Sequence, residues 1–347
     1  MVKSLAVLGT LLLSLQATAA TAVQPGIAPK PLYRDPIDDG AADVSLIYDR
    51  AVHDWKMFYT SRRARMRAAD PSDVAWVHGT PIGVARSKDG LNWHYTGTAR
   101  FPAECTGETL WAPDLFYDKG IYHMWLSVVP GIYHHWGEAG ATARIVHLTS
   151  PDLQTWSCSD TVDLKSERVI DADVFKVGDH YRLWYKDERR DSRIFAVDSY
   201  DLVQWFPEIA QPANDEDGEG PAVFRFGGYY WLIYDAWHGL RVLRSCDAHH
   251  WTAQADTILQ TPGQVETDNG PANHPDIVVT GKGKAQRAFI YYFVHQSNAA
   301  EARTDPYWHQ RTVIQVAELH VAAGGLTVSR DRPVHARLGL PAPGEGK

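Results

Sequence analysis

A short turn motif ending in tryptophan recurs four times along the chain: SKDGLNW (Ser87 to Trp93), TSPDLQTW (Thr149 to Trp156), DSYDLVQW (Asp198 to Trp205) and RSCDAHHW (Arg244 to Trp251). The spacing is about that of one propeller blade, and such repeats form modules that bury their faces against one another. Ahead of each turn lies a strand pair: SLIYDRAVHDWKMFYTSR, PDLFYDKGIYHMWLSV, DVFKVGDHYRLWYKD and AVFRFGGYYWLIYD. Each pair alternates with period two, turns on Gly, Asp or His, and has an aromatic second strand. A fifth pair, DIVVTGKGKAQRAFIYYFV, is followed by TVIQVAELHV instead of a Trp turn. No long amphipathic helix competes and no linker divides the repeats. The pattern predicts an all-β fold, a five-bladed β-propeller in a single domain over residues 30–335, and 347 residues is a common length for such a unit.

The flanks and insertions read differently. Residues 1–22 combine one lysine, an apolar run from Leu5 to Leu15 and the small-residue sites Ala17-Thr18-Ala19 and Ala20-Thr21-Ala22, the pattern of a cleaved secretory signal. The run falls short of the roughly 20 residues needed to span a bilayer, so a secreted or periplasmic protein without membrane insertion is expected. Residues 336–347, ending PAPGEGK, read as a flexible tail. The charged stretch Arg62 to Asp73 reads as solvated surface, and the insertion Pro130 to Arg144 lengthens the second blade over one face, where loops shape binding sites. Cys105, Cys158 and Cys246 are odd in number and lack CxxC spacing, so at most one bridge forms; mostly buried small residues are expected, with one pair possible. A formal charge of -8 with no basic block argues against a nucleic-acid partner. Thirteen Trp and 16 Tyr suit a neutral, polar ligand with flat apolar faces, such as a sugar.

In a propeller, the innermost strand of each blade brings equivalent positions to one axial cavity. The blade starts supply Asp43 in ADVSL, Trp111 in LWAPDL, Asp171 in VIDADVF, Glu219 in GEGPAVF and His274 in NHPDIV. These segments, in this order, resemble family 43 of the glycoside hydrolases and its clan relatives, five-bladed propellers that cleave mostly arabinofuranosides and xylosides. The resemblance covers nearly the whole chain after the signal. It implies Asp43 as general base, Asp171 as the residue that tunes and orients the acid, and Glu219 as general acid. Val44 and Ala172 stand where the family has prolines, which leaves Asp38 and Asp39 as rivals of Asp43, and Asp173 as the rival of Asp171. For substrate contacts the resemblance and the blade positions point to Trp111, His274, Arg311, Trp136 and Trp237; Arg311 stands where the family carries an arginine near acid or substrate. No cofactor is required, though the resemblance allows a structural Ca2+ near the axis beside His274.

Glycoside hydrolysis needs a protonated carboxyl for the leaving oxygen and an ionised partner for water, ~6.5–9.5 Å apart in inverting enzymes. Aromatic walls from Tyr229, Tyr230 and Trp231 and repulsion from Asp171 would raise the pKa of Glu219, while a better hydrated Asp43 stays ionised. The expectation is an inverting glycosidase, exo-acting on terminal pentosides of oligo- or polysaccharides, α-L-arabinofuranosidase or β-xylosidase in type, working as a monomer or small homo-oligomer. The alternatives are a glycan-binding propeller without turnover, or a related glycosidase or phosphorylase for another sugar such as galactofuranose.

Overall fold

Strands, not helices, carry the chain, because its β-branched and aromatic residues alternate at period two. The computed structural model describes residues 26–206, 211–298, 300–305, 307–335 and 338–347. Five antiparallel sheets follow one another in sequence order. Blade one is β1 (Ala41–Asp49), β2 (Asp54–Ser61), β3 (Ile82–Ser87) and β4 (His94–Thr98). Blade two is β5 (Thr109–Asp118), β6 (Ile121–Val129), β7 (Arg144–Ser150) and β8 (Ser157–Thr161). Blade three has β9 (Val169–Val177), β10 (His180–Asp187) and β11 (Arg193–Ser199), with an isolated bridge from Ser199 to Trp205 in place of a fourth strand. Blade four is β12 (Glu219–Phe226), β13 (Tyr229–Asp235), β14 (Leu240–Ser245) and β15 (Thr252–Ala253). Blade five is β16 (Asn273–Thr280), β17 (Arg287–His295), β18 (Thr312–Ala322) and β19 (Gly325–Val328). The predicted five-bladed propeller is therefore the fold. Tyr33 and Gly40, ahead of β1, bridge to Ile314 and Thr312 of β18, tying the first blade to the last.

The recurrent turn is a local device, which is why it was visible in sequence. Asp89, Asp152, Asp201 and Asp247 each accept two backbone amides with Oδ1, as Asp89 does from Leu91 and Asn92 at 2.9 Å. The preceding Ser87, Ser150, Ser199 and Ser245 donate to those carboxylates. Each turn leads out of the third strand of its blade. Between blades, second-strand tryptophans fill the core: Trp55, Trp125, Trp184 and Trp231 are fully buried. Truncating any one to Ala would cost about 3–5 kcal/mol.

Cys105 and Cys158 form the one bridge the sequence allows, whereas Cys246 is exposed rather than buried, and the expected flexible tail is also corrected. Residues 338–347 do not fray: the Ala342 amide donates to Val279 O at 2.8 Å, and Glu345 and Lys347 are buried. The predicted signal, residues 1–22, lies outside the described residues. Among the described residues no helix is long and apolar enough to cross a membrane.

Candidate active site

Each innermost strand carries the same irregularity near its start. Pairing with the second strand slips between Ala42 and Ser45, Trp111 and Asp114, Glu219 and Ala222, and Asn273 and Asp276, and the partner of β9 slips between Trp184 and Lys186. At each slip one residue has a left-handed backbone: Asp43 (φ 47), Ala112 (φ 43), Asp171 (φ 58), Gly220 (φ 56) and His274 (φ 36). A bulge of this kind re-aims side chains at a sheet edge. Asp43, Asp171 and His274 are thus equivalent, as expected, whereas Trp111 and Glu219 stand one residue earlier, beside Ala112 and Gly220. Alternation alone does not reveal a bulge, so the sequence alignment of the blades was one residue off at these two positions.

Around the axis these residues meet. Asp43 lies 2.9 Å from the Arg62 guanidinium and 3.6 Å from His274 Nδ1. Asp171 Oδ2 accepts the Gly220 amide at 3.2 Å. Glu219 Oε2 lies 2.8 Å from the Lys186 ammonium, whose side chain is only 4% exposed. Asp235, paired across the strands with Glu219, accepts the amides of Trp237 at 2.7 Å and His274 at 3.3 Å. Gly220 cannot carry a side chain: a Cβ there would stand 2.7 Å from the His274 ring.

The rivals are placed elsewhere. Asp39 pairs with Arg34 at 2.7 Å and with Arg311 at 3.4 Å. Asp173 lies one step deeper, where Asp114, Asp173 and Asp276 surround the Lys347 ammonium, 2.9 Å from Asp276 and 3.6 Å from Asp114. Each of these three aspartates accepts an amide of the next blade: Asp114 from Val174, Asp173 from Val223 and Asp276 from Leu46. A bound Ca2+ does not fit this structure: His274 has Asp43 as its carboxylate neighbour, Asp43 is held by Arg62, and the deeper aspartates face an ammonium. Among the described residues no group of three His, Cys, Asp or Glu is arranged to hold a metal.

The electrostatics overturn one expectation. Tyr229, Tyr230 and Trp231 pair with Phe226, Arg225 and Phe224 at the far end of their hairpin and do not wall Glu219. Burial opposes the charge of Glu219, but the Lys186 ammonium, helped by His274 and a hydrogen bond from Trp237, outweighs it and brings the carboxyl down to about 2. Asp171 moves the other way: burial lifts it to about 6, with His274 pulling down and Glu219 pushing up. Burial, followed by the charge of Glu219, lifts Asp235 to about 7. Nor is Asp43 well hydrated, being 5% exposed; its charge is matched by Arg62.

The predicted substrate contacts divide. Trp111 donates its indole N–H to Val77 O at 2.7 Å and packs against His78, with ring centres 4.9 Å apart. Trp237 is 49% exposed, and its ring lies 5.5 Å from Lys186 Nζ, so it borders the carboxylates rather than the core. Trp136 is exposed on the insertion. Arg311 stacks on Trp308 at 3.7 Å and pairs with Asp39; the arginine that touches a site carboxylate is Arg62, which the sequence reading passed over as surface. Lys186 was also missed, although it occupies the second-strand position that holds Thr60, Ser127 and Asp235 in other blades.

The rim is uneven. Loops 62–81, 130–143 and 296–311, from blades one, two and five, are long and linked: the Val74 amide donates to His134 O at 3.0 Å, His134 pairs with Asp73 at 2.9 Å, and Arg67 pairs with Asp305 at 3.3 Å. The corresponding connections 188–192 and 236–239 of blades three and four are short. The rim is therefore long-looped on one side and short beside Glu219 and Trp237.

Comparison with known proteins agrees with this architecture. The probable arabinan endo-1,5-alpha-L-arabinosidase A of Aspergillus fumigatus is 23% identical over 143 residues, 37% of this chain and 41% of that protein. Its counterpart in Emericella nidulans is 25% identical over 142 residues, with the same coverage. The match therefore spans less than half the length of these curated relatives. Among solved structures, a thermostable family-43 glycoside hydrolase has a TM-score of 0.63 at 17% identity, over 90% of this chain and 99% of that one. The xylan beta-1,4-xylosidase of Bacillus halodurans has a TM-score of 0.59 at 15% identity, over 85% and 56%. A family model described as a probable glycosyl hydrolase domain, related to family 43, matches residues 41–278. That match takes in four of the five innermost strands and most of the fifth, and so this chain belongs to the family-43-related glycosyl hydrolase domains.

Proposed function

We propose that the protein is an inverting glycosidase that releases terminal pentosides, arabinofuranose or xylose, from oligo- or polysaccharides. The observation that carries this reading is the meeting of Asp43, Asp171 and Glu219, from three different blades, at one end of the axis. In this reading Asp43, held by Arg62 and His274, takes the proton of the attacking water. Glu219 gives a proton to the leaving oxygen, and Asp171, bonded to the backbone beside Glu219, orients it and shares the site's proton load. Exposed Trp237, next to Glu219, offers a platform for a sugar face. The high rim over blades five, one and two supports a closed subsite and exo action; the names of the fungal relatives support an arabinan-type substrate. The Cys105–Cys158 bridge supports a working place outside the cytoplasm, where disulfides persist.

The test is a panel of aryl pentosides with the wild type and Glu219→Ala, with proton NMR of the first-formed anomer. Release of one terminal pentose with inverted configuration by the wild type, and its loss in Glu219→Ala, is expected. Retained configuration, or full activity in Glu219→Ala, would overturn the reading.

A further inference from the structure

The second strand of each blade carries one residue opposite the bulge, and in three blades that residue serves the next blade's backbone. Thr60 Oγ1 accepts the Ala112 amide at 2.9 Å, Ser127 Oγ the Asp171 amide at 2.9 Å, and Asp235 Oδ2 the His274 amide at 3.3 Å. In blade three the same position is Lys186, paired across the strands with Ile170. An ammonium has three donors and no acceptor, so it cannot take the Gly220 amide. Asp171 accepts that amide instead, and the Lys186 ammonium is turned to Glu219 Oε2 at 2.8 Å. Blade five has Phe293 at this position, and of the five only blade three places a charged donor there, at the interface where the outer carboxyl of the site stands.

We propose that Lys186 is a positioning residue for Glu219: its buried ammonium anchors the carboxyl at the mouth of the axis and decides whether that carboxyl is held as an anion or as an acid. This rests on the reading of Glu219 as the proton donor. The charged groups around the pair come from every element packed on it. Asp171 on β9 and Asp235 on β13 face Glu219 as further carboxyls, His274 on β16 faces it from the next blade, and Asp43 on β1 faces Asp171. Glu188, 3.4 Å from Lys186 Nζ, is itself paired with Arg168. Among the described residues Lys186 is therefore the cation in direct contact with Glu219, with His274 facing the carboxyl from further away.

The consequence is a proton economy with the lysine at its centre. While Lys186 holds Glu219 as a carboxylate, the proton of the cluster rests on Asp171 or Asp235, and Glu219 and Asp171 titrate as a unit. To serve the leaving oxygen, Glu219 first takes the cluster's proton from its neighbour Asp171 and then gives it up; the carboxylate that results is the form Lys186 stabilises, so the lysine favours the state after transfer. An opposite charge at this distance moves a carboxyl by about one to three pH units.

Two measurements test this. With 13C-carboxyl-labelled glutamate, and Glu219→Gln to assign the signal, the Glu219 carboxyl of the wild type is expected to stay ionised well below the ordinary glutamate range. In Lys186→Met it is expected to titrate about one to three units higher, with Lys186→Arg close to the wild type. In parallel, the alkaline limb of kcat/KM on an aryl pentoside should move upward in Lys186→Met, whereas a purely structural lysine would scale the profile down without moving it. An unshifted Glu219 signal in Lys186→Met overturns the proposal. If that variant does not fold, a wild-type Glu219 that titrates at or above the ordinary range overturns it just as well. Activity surviving in Glu219→Ala would instead sink the proton-donor reading, and the NMR titration would still report on the lysine.

Discussion

Lys347→Met is the perturbation with the sharpest expected signature. The Lys347 ammonium stands 2.9 Å from Asp276 Oδ1, 3.6 Å from Asp114 Oδ1 and 3.4 Å from Ser45 Oγ, below the site on the axis. The other oxygens of that ring hold the blades together: Asp276 accepts the Leu46 amide at 2.7 Å, Asp114 that of Val174 at 2.8 Å and Asp173 that of Val223 at 3.0 Å. Methionine fills the volume but leaves buried carboxyls without a cation, which costs about 3–5 kcal/mol. With an unfolding entropy of about 2.1 cal/mol/K per residue over roughly 310 folded residues, the melting temperature at pH 7.5 should fall by about 5–8 °C. The pH dependence has a definite sign. Burial pushes Asp114 up to about 6 and Asp173 well above the usual carboxylate range, both raised relative to the unfolded chain. A raised carboxyl contributes stability that is complete below the unfolded value and is lost as pH rises through the folded one. Without the ammonium the folded values climb further, so the deficit of Lys347→Met should shrink between pH 7.5 and pH 5. Differential scanning calorimetry at the two pH values reads both effects. An equal melting temperature at pH 7.5, or a deficit that grows on acidification, would refute the reasoning.

Gly220→Ala puts a methyl 2.7 Å from the His274 ring at a backbone φ of 56°. It should leave the far-ultraviolet circular dichroism intact while lowering kcat/KM by about 10²-fold, the scale of a sub-ångström to ångström displacement at a site; unchanged kinetics would mean that the ring is free to move away. The Cys105–Cys158 bridge closes a loop with a sequence separation of 53, and removing it should cost about 4 kcal/mol by chain entropy. Urea unfolding of a Cys105→Ala/Cys158→Ala variant checks this, and an unchanged midpoint would show that the bridge constrains nothing.

What could be read from sequence was what local chemistry writes into it. The Ser/Asp turn is satisfied within a few residues, Ser150 and Asp152 binding the amides of Leu153, Gln154 and Thr155, so it shows the blade period directly. The site carboxylates were legible because GEGPAVF and VIDADVF place acidic residues at strand starts. Register was not: the bulges at Asp43, Ala112, Asp171, Gly220 and His274 add a residue without disturbing the pattern of residue types. The partners that set charge were hidden for another reason. Arg62 sat in a charged run and Lys347 in a Gly/Pro tail, and nothing within either segment shows that its cation turns toward the axis. Lys186 did leave a trace, since aligning the second strands on Thr60, Ser127 and Asp235 exposes one cation among acceptors.

That trace leads to a division of labour among the carboxyls. At successive blade interfaces the bulge amide is taken by Thr60, Ser127, Asp171 and Asp235. Asp171 and Asp235 are therefore fixed by the backbone of the neighbouring blade. Asp43 and Glu219 are different: among the described residues their carboxylates are held by side chains, Arg62 and His274 for the one, Lys186 and Trp237 for the other. Side-chain partners can shift with a bound sugar without unstitching two blades. On connectivity alone, then, Asp43 and Glu219 are the carboxyls placed to meet water and substrate, and Asp171, anchored to the backbone between them, holds the proton that Glu219 draws on.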